Sequence, residues 1–547
     1  MASQLQPRTA LLAIAGVVLA TAVLVQPWGE FPLNDDWQYS HVTKQLVETG
    51  AFRIDVPVAP ALVGQAYLAR PWVRLFGFSH VTLRFLTMIV SVVFLFCVYE
   101  LLAMAGTGAP AALGALGLIA INPLFLHVEM SFMTEMYGLT ASFLGALLWL
   151  KAGQSRPGLK VLGALLIGAS FWIRQFCVIV FPALLISDLV SVESRLGDRR
   201  RWLRDALLGS MAVAGAIVVY GLWARQTGNL RGEFVGPLMQ MLVPTPTRLM
   251  VHVAIAGAYL AFFMAPFLIL LPDHGPVRDL KWWPWIGLGA VLLSGAAYLA
   301  FRGDFPYVPR SNYTKHFPFL GNVLTPYGVG PLTTTDAYFD PRGGLQYAAW
   351  PWILLEAALV AVVAFARRRY PWNPVRVFGL ALAGLCFVAV NQAYRDAIID
   401  RYYFPVFLGA VLCVAAGVRD RGALATWRTT AGAAFAGVLV LYSVGGMHDY
   451  FRWNESRWRL VSQAGELSVP STELDGGYEY NGWMRYEHPD RAGRGCGLEQ
   501  NFFCPHLRYT IGWTVREGER VIARAPVAAW LFRFPDLMLV ERASPTR

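Results

Sequence analysis

Charged residues are scarce in this 547-residue chain and make up 15% of it. Soluble domains carry nearer a quarter charged residues. Here 56% of the residues are hydrophobic and the mean hydropathy is +0.45. This composition excludes a protein built only of soluble domains. Aromatic residues account for 14%, and because disordered chains are poor in aromatics, intrinsic disorder is excluded too.

Cysteine is also scarce, with six residues and no Cys-x-x-Cys pair. A zinc ribbon or a thioredoxin-type redox site is therefore unsupported. Four cysteines lie in apolar stretches, where a small buried side chain is expected. Cys496 and Cys504 lie outside those stretches, and we expect them to form a disulfide in an oxidising compartment. No glycine-rich phosphate-binding motif has a suitable context, so nucleotide use is unsupported.

Long apolar runs are what the sequence has in abundance. A membrane-spanning helix needs roughly 20 apolar residues, and about thirteen runs approach that length. They predict a polytopic α-helical membrane protein. The first run could instead be a signal peptide, since Ala20-Thr21-Ala22 resembles a cleavage site, but the many later runs favour a retained helix. The runs cover residues 11–27, 81–104, 111–126, 136–150, 159–173, 176–189, 206–223, 249–271, 284–301, 348–366, 377–391, 402–417 and 429–446.

Basic residues concentrate in alternate connections between these runs. Since cytoplasmic loops are enriched in Lys and Arg, this pattern predicts a cytoplasmic N-terminus in a plasma (inner) membrane. It also accounts for much of the net charge of +11 without nucleic acid as a partner. The basic residues are Lys151, Arg156 and Lys160, then Arg195, Arg199, Arg200, Arg201 and Arg204, then Arg278 and Lys281, then Arg367, Arg368, Arg369 and Arg376, and finally Arg419, Arg421 and Arg428.

The longest connections fall on the opposite, outer side of the membrane. They are residues 28–80, residues 224–248, residues 302–347 and the C-terminal stretch 447–547. We therefore expect a membrane domain over residues 1–446 and a small extracytoplasmic domain over 447–547, of mixed or β-rich structure. Its β-prone runs are residues 508–515 and 527–534. The loop 302–347 is rich in Pro, Tyr and Gly, and we expect it to act as a lid.

Two adjacent carboxylates, Asp35 and Asp36, follow the first span directly. In the residues that follow, apolar side chains recur at helical spacing and polar side chains occupy the opposite face. This pattern predicts an interfacial amphipathic helix. A second such helix is expected near residues 61–76. Asn34 or Asp35 is a natural helix cap, and Asp35 with Gln38 has capping-box spacing. The sequence alone therefore leaves two roles for Asp35, helix capping and catalysis.

Further polar residues are predicted on the same outer side. The connection between the third and fourth spans carries His127, Glu129 and Glu135, which we take as candidates for substrate binding. A carboxylate stabilised by the helix dipole is the alternative for Glu135. Arg174 interrupts an apolar stretch, and an ionisable group there usually faces the bundle interior or a cavity. Its guanidinium suits a phosphate, although an internal salt bridge is an alternative.

A short turn on the outer side, before the twelfth apolar run, carries Asn391, Arg395, Asp396, Asp400, Arg401 and Tyr402. So many polar groups in a short turn indicate a binding site. An ion pair between Asp400 and Arg401, of low energetic value, is the alternative.

Together these features resemble the GT-C superfamily of membrane glycosyltransferases. The closest resemblance is to the branch of protein O-mannosyltransferases and lipid A aminoarabinose transferases. It rests on a first span ending in Asp35-Asp36, two interfacial helices and a many-span body, and is clearest over the N-terminal third of the chain. Arg401-Tyr402-Tyr403-Phe404-Pro405 is similar to an Arg-Tyr-x-x-Pro signature of such proteins. The family's acidic pair is commonly Asp-Glu, and Asp36 takes the place of the Glu.

The resemblance implies a sugar donor carried on a polyprenyl phosphate. Asp35 would be the catalytic base, with Asp36 beside it, and the transfer to an acceptor hydroxyl would invert the anomeric centre. Arg174 and Arg401 would stabilise the leaving phosphate, with a divalent metal ion as a further candidate and no other cofactor. The acceptor, whether protein, lipid or glycan, is open, as is the sugar.

Two other functions are compatible with a polytopic membrane protein. A transporter or flippase of lipid-linked intermediates would need ionisable groups deep in several spans, and only Arg174, Glu356 and Asn391 come near that. The other is a non-catalytic scaffold that presents the C-terminal stretch. The enzyme requires Asp35 and Arg174 to lie together.

Overall fold

The computed structural model describes residues 5–56, 58, 61–153, 155–191, 196–229, 246–271, 322–325, 328–334, 372–393, 399–418, 426–488, 504 and 506–542. This part of the chain is mostly helical. Its helices are α1 (Pro7–Val25), α2 (Asp36–Thr49), α3 (Val63–Phe76), α4 (His80–Met104), α5 (Ala109–Ala120), α6 (Pro123–Glu129), α7 (Thr134–Ala152), α8 (Pro157–Ser170), α9 (Val180–Ser191), α10 (Leu196–Gln226), α11 (Pro246–Leu270), α12 (Pro374–Ala393), α13 (Phe404–Ala415), α14 (Thr426–Glu466) and α15 (Tyr478–Glu487).

Four helices of the described part are long and apolar enough to cross a membrane: α1, α4, the stretch Arg199–Gln226 of α10, and α14. Shorter apolar helices cover Pro157–Ser170, Gln175–Ser191 and Pro374–Val390. An integral membrane protein is thus supported. The runs predicted at 284–301 and 348–366 lie outside the described residues.

The run predicted over residues 111–126 is not one straight helix. It forms α5 and α6, which are bent by 68° and which together make up a fifth candidate span. The bend falls at Asn122-Pro123. Pro123 has no N–H and cannot continue the hydrogen bonds of α5, while the side chain of Asn122 accepts from the N–H of Leu124 and starts α6.

Close helix contacts in the body depend on paired glycines. A methyl group at Gly163 of α8 would lie 2.6 Å from the carbonyl oxygen of Gly145 on α7, and Gly379 and Gly409 face each other in the same way between α12 and α13. Small residues at such positions let two backbones approach each other.

The connection after α1 is fastened to the start of α4. The guanidinium of Arg84, which is 1% exposed, donates to the carbonyl oxygens of Pro27, Gly29 and Phe31. The carboxylate of Glu30 accepts from the N–H of His80 at 2.9 Å. These contacts fix the backbone that leads into Asp35 and α2.

The C-terminal part continues from α14 without a break. This 41-residue helix runs from Thr426 to Glu466, so the domain boundary expected between residues 446 and 447 falls inside it. A four-stranded sheet follows, in the order β3 (Leu474–Asp475), β4 (Tyr509–Gly512), β6 (Leu537–Glu541), β5 (Arg520–Ala525). Asp449 of α14 accepts from the N–H groups of Trp530, Leu531 and Phe532 and ties residues 530–532 to the helix.

The two predicted β-prone runs have different outcomes. Residues 508–515 contain β4, whereas residues 527–534 form no strand, so that prediction was wrong. Pro526 and Pro535 flank the second run, and its N–H groups bind the Asp449 carboxylate instead of a neighbouring strand. Cys504 is disulfide-bonded, and Cys496 lies outside the described residues.

A two-stranded hairpin of the loop 302–347 is also described. β1 (Leu324–Thr325) and β2 (Gly328–Val329) pair antiparallel. Gly330 lies so close to the ring of Tyr450 that any side chain at this position would collide with it. Most of the predicted lid lies outside the described residues.

Candidate active site

Asp35 lies at the point where the first connection turns into α2. One carboxylate oxygen, Oδ2, accepts from Nη2 of Arg401 at 2.6 Å, and Oδ1 accepts from the hydroxyl of Tyr478 at 3.0 Å. The side chain is still 25% exposed. The carboxylate is therefore held at both oxygens but remains accessible.

The side chain of Asp35 does not cap α2, and the two aspartates of the pair have different partners. Asp35 occupies the N-cap position of α2, yet its side chain makes no capping hydrogen bond, and the side chain of Gln38 donates to Tyr478 instead of completing a capping box. Asp36, 1% exposed, accepts from the N–H of Leu33 at 2.6 Å and from the N–H of Phe132 at 3.2 Å. Asp36 holds the backbone, whereas Asp35 faces other side chains.

Asp35, Glu135, Arg174 and Arg401 form a compact group that we call the Asp35 cluster. Nη2 of Arg174 lies 3.1 Å from Oε1 of Glu135, and Nε of Arg401 lies 3.7 Å from the same oxygen. The predicted salt bridge of Arg174 is therefore present. Glu135 links the two arginines, so Arg174 reaches Asp35 through Glu135 and Arg401.

The aromatic ring of Tyr402 lies beside both arginines of the cluster. The guanidinium carbons of Arg174 and Arg401 are 6.0 Å and 5.8 Å from the ring centroid. Nη1 of Arg174 also donates to the hydroxyl of Thr134 at 3.1 Å. A guanidinium at such a distance from a ring is attracted to its face, so Tyr402 helps to hold both cations in the cluster.

Asp400 does not pair with the side chain of its neighbour Arg401. Its carboxylate accepts from three backbone N–H groups, those of Val323, Leu324 and Arg401. The hairpin β1–β2 is thereby joined to the turn that carries Arg401. Burial raises the pKa of Asp400 to about 7, against these hydrogen bonds.

His127 and Glu129 of α6 are buried with unused hydrogen-bonding atoms. His127 is 0% exposed, and neither of its ring nitrogens has a hydrogen-bond partner among the described residues. It lies within electrostatic range of Arg401 and Asp35. Oε1 of Glu129 also has no hydrogen-bond partner among the described residues. Nη1 of Arg401 is likewise without a hydrogen-bond partner in the described part. Buried polar atoms of this kind are normally satisfied, so a bound ligand is a reasonable partner for His127 and Arg401.

The charges within the cluster keep Asp35 ionised. Burial raises its pKa, but the positive charge of Arg401 and the hydrogen bonds from Arg401 and Tyr478 outweigh this, and the pKa lies below its ordinary value of 3.8. For Arg401, burial lowers the pKa, and the charges of Asp35 and Glu135 more than compensate. Asp35 is thus a carboxylate at neutral pH and pairs with the guanidinium of Arg401.

Sequence reasoning missed Tyr478 and Gln38. Tyr478 lies 443 residues beyond Asp35, in a stretch with no recognisable motif. Gln38 was expected only in a capping box with Asp35. Neither the spacing of residues nor the composition carries a signal for a contact of this kind.

A metal site is not apparent in the described part of the chain, where no three His, Cys, Asp or Glu side chains are grouped to hold an ion. The residues of the Asp35 cluster do not fit a divalent cation well, because its two carboxylates already neutralise two arginines. We therefore assign no step to a metal.

Part of the chain matches a known protein family. Residues 59–224 match the family model described as dolichyl-phosphate-mannose-protein mannosyltransferase, a GT-C family. The matched segment includes His127, Glu129, Glu135 and Arg174, and it confirms the resemblance predicted from the sequence. No curated protein matches the chain. The family match and the apolar helices support a membrane glycosyltransferase of the mannosyltransferase type.

Proposed function

We propose that this protein transfers a sugar from a polyprenyl-phosphate donor to an acceptor hydroxyl at the outer face of the membrane. One observation carries the proposal: an accessible carboxylate, Asp35, contacts the buried Arg401, and Glu135 joins Arg401 to the buried Arg174. The reaction needs a base for the hydroxyl and cations for the departing phosphate, and the Asp35 cluster has both.

Asp35 is the proposed general base. Its exposed side accepts the proton of the acceptor hydroxyl, and the acceptor oxygen attacks the anomeric carbon. The bond between that carbon and the phosphate oxygen breaks with its electron pair on the phosphate. A positioned base of this kind contributes about 10²- to 10⁴-fold to the rate. Attack opposite the leaving group inverts the anomeric centre.

Arg401 and Arg174 are the proposed phosphate ligands. A guanidinium donates two parallel N–H groups to a phosphate, and Nη1 of Arg401 has no hydrogen-bond partner among the described residues. The ring nitrogens of His127 lie near the same region and supply a further donor. Tyr402 and Glu135 keep the two guanidinium groups in place before the donor binds. Asp36 acts on the backbone and not on the substrate.

The position of the charges favours this enzyme over a transporter. Glu135 lies in the first turn of α7, Arg174 is the N-cap of the 3-10 helix Gln175–Ile179, and Arg401 lies in the 3-10 turn that leads into α13. The cluster is therefore at helix ends. A transporter is expected to carry ionisable groups near the middle of its spans. The outer location of this end, with a cytoplasmic N-terminus, follows from the distribution of basic loops.

The test is a transfer assay with the purified full-length protein. Labelled polyprenyl-phosphate mannose is the first donor, since the matched family is named for a lipid-phosphate mannose, and a threonine-containing peptide is the first acceptor. We expect labelled peptide from the wild type and a loss of at least about 100-fold in rate with Asp35→Asn. Polyprenyl-phosphate sugars of other kinds and lipid acceptors extend the series.

The matched control is Asp536→Asn, which makes the same chemical change at an exposed residue of the C-terminal part. It should keep the wild-type rate. Arg401→Lys keeps the charge but removes the paired N–H groups, and it should raise the KM for the donor. An Asp35→Asn protein as active as the wild type would eliminate Asp35 as the base.

A further inference from the structure

The C-terminal part of the chain meets the Asp35 cluster through two consecutive residues. Tyr478 and Glu479, at the start of α15, bind Asp35 and Asn34, which are also consecutive. The hydroxyl of Tyr478 donates to Asp35, and Oε1 of Glu479 accepts from the N–H of Asn34 at 2.8 Å. This double contact fixes α15 in register with the residue proposed as the base.

We propose that Tyr478 is a positioning residue for Asp35, so that the active site is completed by the C-terminal part of the chain. This inference rests on the proposed function, in which Asp35 is the base. It adds a residue that acts on the base from outside the segment matched to the family model, since that segment ends at residue 224.

The direction of the Tyr478 hydrogen bond is set by its other neighbour. Nε2 of Gln38 donates to the hydroxyl oxygen of Tyr478 at 2.8 Å. A phenol has one hydrogen to donate, and with its oxygen accepting from Gln38 that hydrogen points to Oδ1 of Asp35. Burial and the nearby negative charge of Asp35 raise the pKa of Tyr478 well above its ordinary value, so the hydrogen is retained.

The position of Tyr478 is itself secured by a buried ion pair. Oε2 of Glu479 accepts from Nη1 of Arg457 on α14 at 2.7 Å, and both side chains are 0% exposed. Oε1 of Glu479 also accepts from the hydroxyl of Thr333 at 3.0 Å. The preceding residue, Gly477, has φ +92 and leaves no room for a Cβ against the carbonyl of Thr333. The start of α15 therefore has little freedom to move.

This arrangement has a specific chemical effect on the carboxylate. Arg401 holds Oδ2 and Tyr478 holds Oδ1, so the plane of the carboxylate is fixed while its exposed edge stays open to an acceptor. The hydrogen bond from Tyr478 also stabilises the ionised form and lowers the pKa of Asp35. Removing it must leave a more mobile carboxylate with a higher pKa.

The experiment compares Tyr478→Phe with Tyr480→Phe in the transfer assay from pH 4 to 8. Tyr480 is on the same helix and packs against Trp458, so its variant makes the same chemical change away from Asp35. A hydrogen bond to a charged group is worth roughly 10- to 100-fold. We expect Tyr478→Phe to lower kcat by at least about tenfold, with an unchanged KM for polyprenyl-phosphate mannose.

The pH profile separates positioning from a purely structural role. Since the base must be ionised and its pKa rises in the variant, the acidic limb of kcat should move to higher pH in Tyr478→Phe. Gln38→Leu, which frees the phenol, should give a smaller shift in the same direction. That variant decides the question if Tyr478→Phe does not fold.

Two results would overturn the inference: a Tyr478→Phe protein with the wild-type kcat and pH profile, or a Tyr480→Phe protein with the same defect. If Asp35→Asn is inactive in the same assay, either result refutes only the proposed role of Tyr478, and the proposed function stands. If Asp35→Asn is fully active, the proposed function fails first, and the inference fails with it.

Discussion

Asp35 and Asp36 are chemically identical neighbours with different surroundings. Asp36 is 1% exposed and binds two backbone N–H groups, whereas Asp35 is 25% exposed and binds two side chains. Burial raises the pKa of Asp36 to about 7, while the pKa of Asp35 lies below its ordinary value. The two side chains should therefore respond differently to the same substitution.

We expect Asp36→Asn to destabilise the protein by about 1–3 kcal/mol, because an amide NH₂ group replaces one of the two acceptors and faces a buried N–H. Asp35→Asn should abolish transfer, and because it also removes the ion pair with the buried Arg401 it should lower the stability as well. Thermal unfolding of both variants in the same detergent, together with the transfer assay, measures this. An Asp36→Asn protein as stable as the wild type would contradict the assignment of Asp36 to the backbone.

At the level of single residues, the sequence carries only part of the site. Asp35, Glu135 and Arg174 stand out because charges are rare beside apolar runs. Their mutual contacts cannot be predicted in this way, since Asp35 and Arg401 are 366 residues apart. Tyr478 had no signal at all, because a tyrosine in a polar stretch is ordinary.

The helices of the body depend on contacts as well as on hydrophobicity. Gly163 and Gly158 both lie on α8, but a methyl group at Gly163 would meet the backbone of α7, whereas one at Gly158 would meet nothing within 4 Å. The pair gives a comparison within a single helix.

We expect Gly163→Ala to destabilise the protein by about 1–3 kcal/mol, because α7 and α8 must separate to admit the methyl group. Gly158→Ala should be neutral or slightly stabilising, since alanine favours a helix by about 1 kcal/mol over glycine. Thermal unfolding midpoints of the two variants give the answer. A neutral Gly163→Ala would mean that α7 and α8 do not pack as closely as described.

Elements were easier to predict than their ends. The apolar runs at 81–104 and 136–150 correspond to α4 and α7, and the two helices expected after the first span are α2 and α3. The bend at Pro123 was missed because the residues on both sides are apolar. The end of α14 was missed because the helix continues beyond the membrane with polar residues. Hydropathy places a boundary at residue 446, where the apolar run ends, although the helix extends to Glu466.

At the scale of the whole molecule, the first connection and the C-terminal part are joined by a second contact besides Tyr478. His41 of α2 lies between Glu487 at the end of α15, at 2.8 Å, and Asp55, at 3.3 Å. Lys44 pairs with the other oxygen of Glu487. Although burial lowers the pKa of His41, hydrogen bonds to Asp55 and Glu487 raise it to about 9. Burial raises the pKa of Glu487, but its hydrogen bonds to His41 and Lys44 lower it to about 2.

This contact should make the stability depend on pH above neutrality. A histidine whose pKa is raised on folding contributes fully below its ordinary pKa of 6.5, and that contribution is lost as the pH rises through about 9. We expect the unfolding temperature to fall between pH 7.5 and 9.5 by about 1 °C for each kcal/mol lost, because the entropy of unfolding grows with chain length. The carboxyls of Asp36 and Asp400, with pKa values of about 7, are largely ionised across this window.

His41→Gln should remove most of that fall, whereas His506→Gln, at an exposed position of the C-terminal part, should keep it. Differential scanning of the three proteins in one detergent across this pH range makes the comparison. The same slope in His41→Gln and wild type would show that His41 does not couple α2 to α15.

The continuity of α14 restricts how this sequence can change in evolution. Each residue of an α-helix advances it by about 1.5 Å and rotates it by about 100°. Inserting or deleting one residue near Gly446 would therefore turn Arg457 to another side of the helix axis. The start of α15, which Arg457 binds through Glu479, would move with it. The contact between Tyr478 and Asp35 would be lost, although neither residue had changed. Homologous chains should vary in length within their loops and keep an invariant number of residues between the membrane and Arg457.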